Sequence, residues 1–223
     1  YMAALMTRRF AQIVEITKLM EACPSMNIKT LGPDVNESYR AFGVNEHGEI
    51  RFGLSAIKGM GAPAADAIVA EREKNGPYKT IFDFAERVDF SCVNRKAFET
   101  LALSGGFDSF GIRREQFFGK NSKGETFLDT LVRYGQLYQR EQQEAATSLF
   151  GGTEAVEIAT PPIPEVEGWS TIERLNRERE LVGIYLSAHP LDDYEIILKN
   201  LCNTHCAELG DKVALAKKED IVF

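Results

Sequence analysis

Residues 52–70 read FGLSAIKGMGAPAADAIVA, and this stretch confines the chain to a tight corner between two helices. Leu54 and Ile57 give the first helix an apolar side, and Ala65, Ile68 and Val69 give one to the second. Gly59 and Gly61 flank Met60. A turn this close requires positive φ at one or both glycines, or an approach of backbone that a side chain would block. Met60 is expected to point inward as a plug, and Pro63 suits the first turn of the following helix, where its missing N–H forfeits no bond. The N–H groups of Gly61, Ala62 and Ala64 then lack intrahelical partners at the positive end of the helix dipole. This is a natural phosphate site, with Lys58 beside it to add charge. A corner whose glycines serve packing alone is the other reading, and a bare G-x-G spacing does not separate the two.

With 223 residues and 44% hydrophobic content, the chain can bury a core in one large domain or two small ones. No apolar run approaches the roughly 18 residues that span a bilayer, so no membrane partner and a cytoplasmic location are expected. The chain begins on Tyr1 and closes on Ile221, Val222 and Phe223, which reads as a piece of something longer. Cys23, Cys92, Cys202 and Cys206 are too few and scattered for a disulfide-stapled secreted module. Only Cys202, His205 and Cys206 cluster as metal-ligand types, and they lack a fourth ligand and the usual spacing. No metal site is expected. His47 lies in a polar turn and His189 precedes Pro190, so both read as structural.

Helical punctuation dominates. Apolar residues from Met2 to Ala22 recur at helical spacing, which predicts one helix ended by Pro24. AFGV and EIRFG, joined by Asn45–Gly48, predict a small β-hairpin on the N-terminal side of a mainly α fold. Gly76 and Pro77 stop the helix after the glycine corner, Thr80 and Asn94 can cap the next two, and Gly105 with Gly106 ends the second of these. A long polar-faced helix is expected from about Thr126 to Ala146. Residues 151–168 hold three prolines and several glutamates without a period, and read as an acidic linker. Ser170 and Glu173 form a capping box that opens a helical segment over 169–210, and 211–223 reads as the start of a further domain.

The succession PDVNES, IRFGLSAIKGMG, GPYKTIFDF, GGFDSFG and LVGIYLSAHPLDDY resembles the alpha subunits of bacterial DNA polymerase III, the C-family replicative polymerases, in family order over about residues 30–195. The glycine corner resembles a helix-hairpin-helix motif. The resemblance implies that 1–50 end a fingers region, that 51–150 form a tandem helix-hairpin-helix domain on duplex DNA, and that other holoenzyme subunits are partners. Phosphate contacts are then expected at Lys58, Gly59, Met60, Gly61, Ala62 and Ala64. The second hairpin would lie around Ser104–Phe107, with Gly105 and Gly106 adjacent where the pattern has G-h-G. The resemblance also implies a contact with the sliding clamp at Ala146, Thr147, Ser148, Leu149 and Phe150, with Ala146 standing where such peptides carry Gln.

The formal charge of −7 is unevenly spread. Residues 51–96 hold eight Lys or Arg against six Asp or Glu, whereas 141–180 hold three against nine. Nucleotide addition by two metal ions needs convergent carboxylates, and no D-x-D pair occurs here; Asp192 and Asp193 sit where a helix starts. No catalytic residue and no cofactor are therefore expected in this stretch, with magnesium and DNA-directed polymerisation assigned to the parent protein. Two rival readings stay open: a helix-hairpin-helix scaffold for protein interactions that uses the acidic linker, and an accessory domain of a DNA-repair nuclease.

Overall fold

A computed structural model describes residues 1–9, 12–147 and 158–202, and the chain divides into two compact units, Tyr1–Ser187 and Ala188–Phe223. The fold is mainly α, with one small sheet, as the punctuation predicts. In the first unit α1 (Met2–Arg8) and α2 (Ile13–Ala22) replace the single N-terminal helix expected. The backbone leaves helical geometry at Arg9 and Gln12, both with φ near −115°, and no glycine or proline marks the break. Periodicity runs through it because the buried residues Met2, Met6, Ile16 and Met20 keep a helical spacing within each piece.

The expected hairpin is present as β2 (Gly43–Val44) antiparallel to β3 (Ile50–Arg51), with Val44 opposite Ile50. A further strand, β1 (Thr30–Leu31), adds parallel to β3, giving the order β1-β3-β2. Two residues of NIKTL are too short a run to announce a strand. The loop after β1 is bound to the helical region at two points, Tyr78 and Gly106. Val35 N–H donates to the Gly106 carbonyl at 3.0 Å, and Asn36 exchanges two bonds with the Tyr78 backbone, at 2.7 and 2.9 Å. Arg72, buried on the helix after the corner, donates to the carbonyls of Val35 and Ser38 at 2.7 and 2.9 Å.

That helix is α3 (Ala62–Asn75); α4 (Ile81–Arg87) and α5 (Arg95–Ser104) follow, each with the expected cap. Thr80 Oγ1 accepts from Asp83 N–H, and Asn94 Oδ1 from Ala97 N–H. Phe84, Phe98, Phe107 and Phe117 are almost fully buried and pack edge-on or tilted, with ring centres 5.0 to 6.1 Å apart. Each such ring removes on the order of 150–250 Å² from water. The long helix α6 (Phe127–Thr147) crosses α4 at Gly135, where a Cβ would stand 2.3 Å from the Ala85 carbonyl oxygen.

Residues 158–168 contain neither helix nor strand, yet they are held down. Gln116 donates to the Pro164 carbonyl and Arg113 to that of Val166, both at 3.0 Å, and Trp169 packs on Phe118 with the Arg177 guanidinium over its ring. Ser170 caps α7 (Thr171–Val182), which packs on α5 and buries Leu175, Glu178 and Val182. The described part of the second unit holds a 3-10 turn, Asp192–Tyr194, and α8 (Glu195–Asn200).

Candidate nucleic-acid interface

The glycine corner is built from a 3-10 turn at Leu54–Ala56, an extended Ile57, and a reversal at Gly59, where φ is +93°. Gly59 alone carries the left-handed backbone. Gly61 has φ −75° and serves as the N-cap of α3, and a Cβ there would meet nothing closer than Pro63 Cδ at 3.6 Å. The second glycine therefore keeps the rim open without relieving strain. Met60 fills the inside of the corner at 6% exposure, and its N–H is already given to the Ile57 carbonyl at 3.0 Å. At the start of α3 the backbone N–H groups without a partner among the described residues are those of Gly61, which is exposed, Ala62, which is half-buried, and Ala64, which is buried: Gly61 has no side chain to cap them, no acid occupies the first turn, and Pro63 contributes no donor.

Lys58 and Gly59 also line a cleft of about 560 Å³ with Asn94 and Lys96 from the start of α5, Thr100 from its middle and Leu181 from the end of α7. Thr100 and Lys96 come closest to the rim, since a Cβ built on Gly59 would lie 3.3 Å from Thr100 Oγ1 and 3.6 Å from Lys96 Cε. Among the described residues neither Lys58 nor Lys96 forms an ion pair. Arg95 is spoken for: Asp129 at 2.5 Å and Glu99 at 2.9 Å hold it, and the bond to Asp129 is the main reason its pKa is raised. The sequence does not announce Lys96, which is remote from the glycines along the chain. Two cations in the first turn of a helix oppose its dipole, and that anomaly at Arg95–Lys96 is the signal that could have found them.

The second hairpin is different. The N–H groups of Gly105 and Gly106 both donate to the Leu101 carbonyl, closing α5, and the Gly106 carbonyl receives Val35 N–H. Both glycines are buried. Gly105 has φ +88°, and a Cβ there would stand 2.3 Å from an Arg114 guanidinium nitrogen. Phosphate contact expected at Gly105 and Gly106 is thus not supported: their donors are consumed, and adjacency serves a buried helix stop. Ala146 and Thr147 lie in the last turn of α6, while Ser148, Leu149 and Phe150 lie outside the described residues, as do His205 and Cys206. His189 Nδ1 accepts from Leu191 N–H within a turn. Among the described residues no three of His, Cys, Asp or Glu are arranged to hold a metal ion, and no helix is long and apolar enough to cross a membrane.

Comparison with known proteins gives this geometry a context. The helix-hairpin-helix motif family matches residues 27–117, a span that begins before β1 and ends after the second hairpin. DNA polymerase III subunit alpha of Chlamydia trachomatis is 40% identical over 204 residues, covering 89% of this chain and 16% of its own length. The same subunit of Pasteurella multocida is 35% identical over 214 residues, covering 96% of this chain and 18% of its own, and that of Vibrio cholerae is 33% identical over 222 residues, covering 99% and 18%. The chain spans less than one fifth of the curated relatives it matches, and over that stretch it belongs to the DNA polymerase III subunit alpha family.

Proposed function

We propose that this chain is a non-catalytic segment of a bacterial replicative DNA polymerase that grips duplex DNA through the backbone at its first hairpin, without reading base sequence. The observation that carries the reading is the open N-terminus of α3: N–H groups at Gly61, Ala62 and Ala64 with no capping side chain, on a rim where a Cβ on Gly61 would make only an ordinary contact with Pro63, beside Lys58 and Lys96. A phosphodiester can approach glycine closely, accept from the amides and be neutralised by the lysines. Backbone contacts fix register and carry no sequence information. With only a few phosphates engaged, binding is weak and salt-sensitive.

Polymerisation and its magnesium belong, on this reading, to parts of the relatives outside the matched stretch; among the described residues no three of His, Cys, Asp or Glu are arranged to hold a metal ion. The family context also supports replication in the cytoplasm with other holoenzyme subunits, and a clamp contact through residues 146–150. The test is fluorescence anisotropy of the 223-residue chain with two duplexes of unrelated sequence. Equal affinities for both, lowered about tenfold or more by Gly61→Val, are expected. No binding by the parent, or binding untouched by Gly61→Val in a folded variant, refutes the reading; the former result favours a protein-interaction scaffold, and the latter places duplex binding away from the first hairpin.

A further inference from the structure

The carboxylate of Glu178 is only 1% exposed and accepts four hydrogen bonds. Its Oε1 receives the N–H groups of Leu186 and Ser187 at 2.7 and 2.9 Å, and its Oε2 receives Arg114 and the Ser187 hydroxyl, both at 2.7 Å. Arg114 is itself buried, and it is clasped by Asp108 just beyond the second hairpin and by the Leu103 carbonyl at the end of α5. Glu178 thus ties α7 and the chain leaving it to the second hairpin. A buried acid is costly unless every oxygen is satisfied, and losing one partner strands the other charge.

One turn later on the same helix, the Leu181 carbonyl accepts the N–H of Lys58 at 2.9 Å. This bond joins the last turn of α7 to the residue that opens the glycine rim, and Leu181 with Glu180 forms a wall of the cleft that holds Lys58 and Lys96. Lys58 N–H would otherwise be free to follow the loop. The two ends of the arrangement are 120 residues apart in sequence at positions 58 and 178, so the corner's geometry is set by a segment that begins beyond the acidic stretch.

We infer that Glu178 is a positioning residue for the first hairpin: by locking α7 onto the second hairpin through Arg114, it presents the Leu181 carbonyl that fixes Lys58 and Gly59 for phosphate. It touches no phosphate itself. The inference rests on the proposed duplex binding by that hairpin, and the experiment separates the two.

The full 223-residue chain and its Glu178→Ala variant are compared by amide hydrogen exchange and by duplex titration over several salt concentrations. Glu178→Gln, which keeps the volume and removes the charge, is the milder second variant. In the variants the Lys58 amide exchanges at least tenfold faster while those of Ile68 and Phe98 keep their protection. Duplex affinity falls about tenfold, and the log–log salt slope becomes shallower by about one, the signature of a lost phosphate contact. A purely structural loss would lower the amount of folded protein and leave the slope of the remainder unchanged. Parental Lys58 exchange or a parental salt slope in either folded variant overturns the inference. A parent chain that fails to bind duplex overturns the proposed function instead.

Discussion

Replacing Gly59 by Ala is expected to destabilise the fold, whereas the same change at Gly61 is not. At Gly59 the backbone has φ +93°, and an added methyl would lie 3.3 Å from Thr100 Oγ1 and 3.6 Å from Lys96 Cε. The left-handed conformation costs a side-chained residue roughly 1–2 kcal/mol. The contact with the buried Thr100 is tighter than an ordinary one and adds to that cost. For a chain of this size about 1–2 kcal/mol lowers the melting temperature by about 2–8 °C. At Gly61 φ is −75° and the nearest atom would be Pro63 Cδ at 3.6 Å, an ordinary contact, so Gly61→Ala should leave stability within about 0.5 kcal/mol. Thermal and denaturant unfolding of the two variants and the parent makes the assay. Equal destabilisation by both substitutions, or none by Gly59→Ala, would refute this division of labour between the two glycines.

Gly135→Ala should destabilise by several kcal/mol despite the better helix propensity of alanine, because the new methyl would meet the Ala85 carbonyl oxygen at 2.3 Å and force α6 off α4; unfolding in denaturant checks it. Glu125 is held down to about 2 from 4.5, chiefly by Arg133, so its stabilising contribution is present above its unfolded value near 4.5 and is lost as pH falls towards about 2. Glu125→Gln should remove that part of the acid sensitivity, and a stability-against-pH curve identical to the parent's between those values would contradict it. Replacing Leu149 and Phe150 together with Ala should abolish binding to the cognate sliding clamp in surface plasmon resonance while duplex affinity is unchanged. Equal clamp affinity of parent and double variant would rule that contact out.

Local chemistry was the readable part of this sequence. Thr80, Asn94 and Ser170 cap the helices they precede because a short polar side chain before an apolar period has one good use for its oxygen. The inward Met60 and the helix stop at Gly76 follow equally from local rules. Long-range pairing was hidden. β1 exists only because β3 lies alongside it, and two residues carry no period of their own. Residues 158–168 have a linker's composition, yet Gln116 and Arg113 bind their carbonyls, a contact that no local pattern encodes. The break between α1 and α2 lacks a breaker residue. At the candidate site the glycine rim was legible, whereas Lys96 and Leu181 reach it from other helices. Gly105 and Gly106 looked like a second rim because glycine pairs in a helix stop and in a phosphate loop read alike until the fate of each N–H is known.

The most direct measurement is of the amides themselves. Titrating the isotopically labelled chain with a short random-sequence duplex and following backbone N–H resonances should shift Gly61, Ala62 and Ala64 most. Lys58 and Lys96 should move with them and Gly105 and Gly106 should stay in place. The shifts should be the same for a second sequence and reverse on raising salt. Saturable duplex binding that leaves the 58–64 resonances unmoved would contradict the account at its centre.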